Sequence, residues 1–253
     1  MIATAEPRPS RLLAALRIAG LAGLFLTYLP PHLLSKLLFR HSHWPRRFLA
    51  AAARIAGARI RVRGAPLEPH TLVVANHTSW LDILVLGGAA GTAFVSKAEV
   101  RGTPLIGWLA DQNHTLYIER AERSDAHGQV RRISEALERP QPLTVFPEGT
   151  TGCGRHLLPF RSTLLEAVAP IPAGVAVRPV AIDYGEALDA IAWHSGERGL
   201  DNALRVLGRR GTIDAVAHLL DPLPPSSDRK VHARHARARI AAALPSLHAP
   251  TGL

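Results

Sequence analysis

Along the first 56 residues, apolar side chains persist for whole helical turns. Residues 12–29 are almost wholly apolar apart from Arg17, which leaves 18–31 as the uninterrupted stretch. That is short of the roughly 20 residues a spanning helix needs. Pro30 and Pro31 should then break the helix, because each removes a donor and crowds the preceding turn. A second, amphipathic stretch over 32–56 carries Trp44 and the Arg46-Arg47 pair, as an interfacial anchor does. The expected form is an amphipathic helical hairpin lying in a membrane interface. A single span is the rival, and two ordinary helices packed on a globular domain are the plain alternative.

After Ala56 the pattern changes to short apolar or β-branched runs. Residues 58–63, 71–75, 92–96, 115–118, 142–146, 175–182 and 212–219 read as strands, with 71–75 so uniformly apolar that it should be central. Helical periodicity falls between them, over 80–86, 104–110, 125–139, 162–168, 202–207 and 229–244. Residues 221–227 read as a linker. Strands alternating with helices predict an α/β domain over 57–253. Its central sheet is mixed and largely parallel and is flanked by helices, with 1–56 as an N-terminal membrane-associated segment.

Charge sharpens the view of the N-terminus. Eleven basic residues and one acid, Glu6, precede residue 64, so the whole net charge of +10 lies there; the rest of the chain has 19 residues of each sign. Interleaved with aliphatic runs, that charge points to an anionic lipid surface on the cytoplasmic face of a cell membrane. Nucleic acid is disfavoured, because the basic segment is interrupted by long aliphatic runs rather than by aromatics. The single cysteine, Cys153, excludes an intramolecular disulfide.

Polar residues that packing does not require gather at three strand-to-loop junctions, where sites form in open α/β sheets. The first is Asn76-His77-Thr78-Ser79-Trp80-Leu81-Asp82, the second Tyr117-Ile118-Glu119-Arg120, and the third Phe146-Pro147-Glu148-Gly149-Thr150. On one helix, His77 and Asp82 would point about 140° apart. They can meet only if His77 precedes the helix and Asp82 lies in its first turn. Asp82 also suits a capping box begun by Ser79, so spacing alone leaves a dyad and a helix cap both open. A neutral imidazole can take a proton from an alcohol near neutral pH, and a carboxylate on its other nitrogen fixes its tautomer. The chain has no G-x-S-x-G elbow. A base without a protein nucleophile suggests direct attack by a bound hydroxyl on an acyl donor.

These blocks, with Val177-Arg178-Pro179-Val180-Ala181-Ile182 as a fourth, resemble the lysophospholipid acyltransferase superfamily, and in particular its PlsC-like 1-acylglycerol-3-phosphate acyltransferases. Residues 76–82 match its N-H-x4-D block and 146–150 its F-P-E-G-T block. The resemblance implies His77 as general base and Asp82 as its orienting carboxylate. It implies substrate-binding roles for Asn76, Ser79, Lys97, Arg120, Glu148, Gly149, Thr150 and Arg161, with Lys97, Arg120 and Arg161 as an anion clamp. It further implies acyl-CoA or acyl carrier protein as co-substrate, no other cofactor, no metal, and a lysophospholipid acceptor, first 1-acyl-sn-glycerol-3-phosphate to give phosphatidic acid. The chain departs from the family where Thr151 replaces the arginine that usually follows F-P-E-G-T. Either Arg155 or Arg161 substitutes, or the acceptor differs; lyso-ornithine lipid is the alternative. A non-catalytic lipid-surface binding protein is the alternative of another class.

Two further signals receive little weight. Gly149-x4-Gly154-Arg155-His156 lacks the Lys and Ser/Thr of a phosphate loop. His41, His43, His232 and His235 are expected to be solvated rather than metal-bound, and the basic residues 229–239 to form a solvated face.

Overall fold

The computed structural model describes residues 9–40, 42–118 and 126–244. Seven strands form its sheet: β1 (Ala58–Arg63), β2 (Thr71–Ala75), β3 (Ala93–Lys97), β4 (Leu116–Ile118), β5 (Leu143–Val145), β6 (Ala176–Asp183) and β7 (Ile213–Leu219). Their order is β1-β7-β6-β2-β5-β3-β4. β6, β2, β5, β3 and β4 run parallel, while β7 runs antiparallel to β6 and parallel to β1. The sheet is therefore mixed and largely parallel, and the carboxyl ends of five strands share one edge.

β2 occupies the middle position and is buried at every residue. Alternate side chains feed two cores. Val73 and Ala75 join Phe94 and Phe146 on one face, whereas Leu72 and Val74 join Val95, Leu143 and Val177 on the other. Each fully buried Leu or Val contributes about 1.5–3 kcal/mol relative to exposure. Leu72→Ala would therefore cost about 2–5 kcal/mol, because the sheet gives it little room to collapse.

The helices are α1 (Arg11–Phe39), α2 (Trp44–Ile55), α3 (Leu81–Ala89), α4 (Ala98–Arg101), α5 (Pro104–Gln112), α6 (Ala126–Leu137), α7 (Leu188–Ile191), α8 (Gly199–Leu207) and α9 (Arg229–Ala243). α2 packs on α3 through a close approach at Gly88, where an added Cβ would lie 2.6 Å from the Ala50 nitrogen. Residues 163–168, expected to be α-helical, form a 3-10 helix instead. At the amino end of the sheet Arg178 is 4% exposed. Its guanidinium donates to the carbonyls of Leu220, Pro66, Ala65 and Leu219 at 2.7–3.3 Å, tying two loops together.

The N-terminal segment corrects one expectation. Pro30 and Pro31 do not break the helix: α1 runs through both, and the chain turns at Arg40, whose φ is 58°. Tertiary contacts hold the weakened turn and override local propensity. His32 is bonded to Ser42 and Gln112, the Trp44 indole donates to Ser35 Oγ, and Tyr28 meets Trp44 edge-on at 5.3 Å. One stripe of α1 rests on the domain, while its outward face is leucine-rich and exposed. By length and composition α1 is apolar enough to cross a membrane.

The histidine and last-helix expectations also change. His232 is buried, its Nε2 bonded to the Ser226 carbonyl, whereas His43 and His235 are exposed and His41 lies outside the described residues. The cations of α9 are not simply solvated. Arg229 pairs with Glu166, Arg237 donates to the Leu157 and Leu158 carbonyls, and Arg239 donates to those of Asp221 and Pro222.

Candidate active site

β2 ends at Ala75, and the chain crosses the carboxyl edge of the sheet before α3 starts at Leu81. His77 thus stands in the loop and Asp82 in the first helical turn, the placement their spacing requires. His77 Nδ1 lies 2.8 Å from Asp82 Oδ2. That same oxygen accepts the backbone N–H groups of Thr78 at 2.7 Å and Ser79 at 2.9 Å, and Oδ1 accepts the Tyr184 hydroxyl at 2.6 Å. Four donors replace water around a carboxylate that is 0% exposed. Asp82 also reaches back to the Ser79 N–H, one half of a capping box. The Ser79 hydroxyl, however, accepts from the Leu81 N–H and not from that of Asp82, and the N-cap of α3, Trp80, has no side-chain cap.

The bond to Asp82 sets the Nδ1–H tautomer and leaves the lone pair on Nε2. Among the described residues Nε2 has no hydrogen-bond partner. The ring is stacked on Phe146 at 4.0 Å and 16°, and Phe146 lies nearly parallel to Phe94 at 6.1 Å. The imidazole plane is therefore clamped while its outer nitrogen is free to take a proton.

Glu148 holds the loop from behind. Its Oε1 accepts the His77 N–H at 2.8 Å and its Oε2 accepts the Leu158 N–H at 2.9 Å. Burial pushes this carboxyl above its usual range, while the two N–H donors pull the other way. The Gly152 N–H donates to the His77 carbonyl at 2.9 Å, and the Trp193 N–H to the Thr78 carbonyl at 2.9 Å. Gly149 turns the chain with a φ of 77°, a conformation that glycine adopts without a Cβ penalty.

The residues expected to bind substrate divide on these facts. The Asn76 side chain is buried and committed at both ends to the backbone of Ile182, and Ser79 is fully buried beneath Asp82. Glu148 uses both oxygens on backbone donors. These three position the loop and offer no atom to a ligand. Lys97 ends β3, Thr150 follows the Glu148 turn, and the Arg161 N–H donates to the Pro147 carbonyl; all three are exposed at the carboxyl edge. Lys97 and Arg161 thus sit beside adjacent strand ends, β3 and β5. Arg120 lies outside the described residues. Arg155, one of two substitutes considered for the missing arginine, is paired with Asp189 through both Nε and Nη2. That leaves Arg161 as the cation of the two whose side chain has no partner among the described residues.

Tyr184 was missed. It is buried, and burial together with the Asp82 charge raises its phenol well above the usual range, so it stays a donor. The available signal was its place just past the fourth block, where β6 reaches the same sheet edge as β2. The described residues contain no group of three or more His, Cys, Asp or Glu able to hold a metal.

The family model Acyltransferase matches residues 59–183. The chain is 42% identical over 213 residues to a lyso-ornithine lipid O-acyltransferase of Pseudomonas aeruginosa, covering 81% of this chain and 80% of that one. It is 35% identical to the enzyme of the same name from Brucella abortus, covering 90% and 92%. A 1-acyl-sn-glycerol-3-phosphate acyltransferase of Neisseria gonorrhoeae is 37% identical over 123 residues, 48% of each chain. The crystal structure of the 1-acyl-sn-glycerophosphate acyltransferase PlsC of Thermotoga maritima superposes with a TM-score of 0.69 at 21% identity, covering 96% and 98%.

Proposed function

The chain belongs to the Acyltransferase family and is an O-acyltransferase of the lysophospholipid type; from that premise we propose that it acylates lyso-ornithine lipid. One observation carries the choice of acceptor: the similarity to lyso-ornithine lipid O-acyltransferases extends over four fifths or more of both chains. The loop supports it, because Thr151 stands where glycerol-phosphate enzymes usually keep an arginine and Arg155 is held by Asp189. Lysophosphatidic acid, first on motif resemblance, becomes the second reading, favoured by the Neisseria relative.

In this mechanism the acceptor hydroxyl gives its proton to His77 Nε2 as its oxygen attacks the thioester carbonyl. A C–O bond forms, the tetrahedral intermediate collapses, and the C–S bond breaks. The imidazolium returns the proton to the departing sulfur. Asp82 stabilises the transient cation and keeps the ring in one tautomer. Lys97 and Arg161 draw the anionic part of the headgroup to the sheet edge. The acyl donor is a thioester of coenzyme A or of acyl carrier protein, met at the cytoplasmic face of the cell membrane.

The test is a side-by-side assay of the purified chain on lyso-ornithine lipid and lysophosphatidic acid, with each donor, following diacyl product and free thiol. A kcat/KM at least tenfold higher for lyso-ornithine lipid supports the proposal. A preference for lysophosphatidic acid overturns the choice of acceptor.

A further inference from the structure

α1 is fastened to the domain near both ends. The Ser10 N–H, at its N-cap, donates to the Gly208 carbonyl at 2.8 Å, and Arg17 donates to the carbonyls of Leu207 and Arg209 at 3.0 Å. Toward the other end, His32 and Lys36 both reach Gln112 Oε1 at 3.0 Å. A helix of this length measures about 43 Å. It therefore lies along the domain, from the end of α8 to the end of α5, and does not project from it.

Both flanking helices carry uncovered leucine-type side chains beside it. On α5, Leu105 falls on the same stripe as Trp108 and Gln112, the two residues that α1 contacts. One turn away from that contact, Leu105 is 55% and Ile106 56% exposed. On α8, Leu200 (65%) and Leu204 (39%) form an i, i+4 pair that leads toward Gly208, where α1 is fastened. Between them α1 exposes Leu12, Leu16, Leu26, Leu34 and Leu37. Three helices joined through α1 thus each carry uncovered apolar side chains. Exposed cations lie on α1 and at its end, at Arg11, Lys36 and Arg40, and neither α1 nor α2 carries an acid, while α5 and α8 each carry one exposed acid, Asp111 and Asp201. A soluble surface seldom exposes so broad an apolar area, and the cations of α1 are complementary to anionic lipid.

We propose that α5 and α8 are membrane-contact elements in their own right, with Leu105 and Ile106 toward one end of α1 and Leu200 and Leu204 toward the other entering the headgroup layer of an anionic bilayer. The domain rests on one leaflet through three helices, and α1 lies in the plane of that leaflet. Because α8 follows the Trp193 loop that is bonded to Thr78, this pose brings the carboxyl edge of the sheet to the lipid surface.

The experiment measures binding of the full chain to vesicles of phosphatidylcholine and phosphatidylglycerol by flotation. Leu105→Glu/Ile106→Glu and Leu200→Glu/Leu204→Glu should each weaken binding about tenfold or more. Leu105→Trp and Leu200→Trp should bind as well as or better than the parent, which separates lost contact from lost fold. Thiol labelling of Ser10→Cys and Arg40→Cys, in a Cys153→Ser background, should find both sites on the side to which protein was added. Unchanged binding by both double variants, or labelling of the two sites from opposite sides, overturns the proposal. Binding is read without turnover, so failure of the acyl-transfer reading does not register in it.

Discussion

Two buried charges mark opposite ends of the sheet. Asp82 at the carboxyl end and Arg178 at the amino end each make four hydrogen bonds and are shut off from water. By burial and bond count they look alike. The difference lies in the partners. Arg178 holds only backbone carbonyls, so its network ends within the protein. Asp82 holds an imidazole whose other nitrogen faces outward. A satisfied buried charge is structural unless one of its partners carries a free valence to the surface; here the imidazole does.

Substitutions can test that contrast. The largest effect is expected at His77→Ala, which should lower kcat by about 10⁴-fold while leaving the urea midpoint near the parent value. Asp82→Asn should lower kcat less, by about 10²–10³-fold, because the amide keeps part of the orientation but cannot stabilise the imidazolium. Comparable loss from both variants in urea midpoint and in rate would erase the distinction between base and support. At the other end, Arg178→Met should cost about 3 kcal/mol of stability, because four buried carbonyls lose their donor. Activity per folded molecule should stay within about twofold of the parent.

Smaller effects sharpen the same point. Tyr184→Phe removes one of four donors from Asp82 and should reduce kcat about tenfold with KM unchanged, since the dyad remains but its carboxylate is less well held. The smallest concerns Glu197, whose carboxyl is held down to about 2 chiefly by its hydrogen bonds to Arg205. A depressed carboxyl stabilises the fold above its ordinary range and loses that contribution as pH falls through its folded value. Denaturant melts between about pH 5 and pH 2 should therefore show a Glu197→Gln variant less sensitive to acid than the parent, by about 1 kcal/mol or less after solvent screening.

How much of this was visible in the sequence depends on the range of the forces involved. β1 and β2 fall on their predicted limits because an apolar run in a buried parallel strand needs no distant information. The spacing of His77 and Asp82 at a helix start left a dyad and a cap both open, and only the resemblance of the surrounding blocks pointed to their meeting. The path of α1 through Pro30 and Pro31 was not, since the contacts that preserve it come from Trp44 and Gln112. Asn76 and Glu148 resembled ligand-binding residues in the sequence, but their side chains are committed to backbone atoms 106 and 71 residues away, respectively. Tyr184 carries no mark of its role until β6 is laid beside β2.

The loop holding His77 also has consequences for how the chain folds. Its bonds to Glu148, Ile182, Trp193 and Tyr184 join segments separated by 71 residues or more. The bond to Glu148 waits on β5 docking beside β2, and those to Ile182 and Tyr184 wait on β6 docking on its other side. Such long-range closures make assembly slow, because the entropy of loop closure precedes the reward of contact. After dilution from denaturant, helical signal should return before turnover does, and turnover should appear with the last cooperative step. The His77–Asp82 pair is local in the chain, but the bonds that hold its loop in place are long-range, so a fully positioned base is expected only once the sheet is complete.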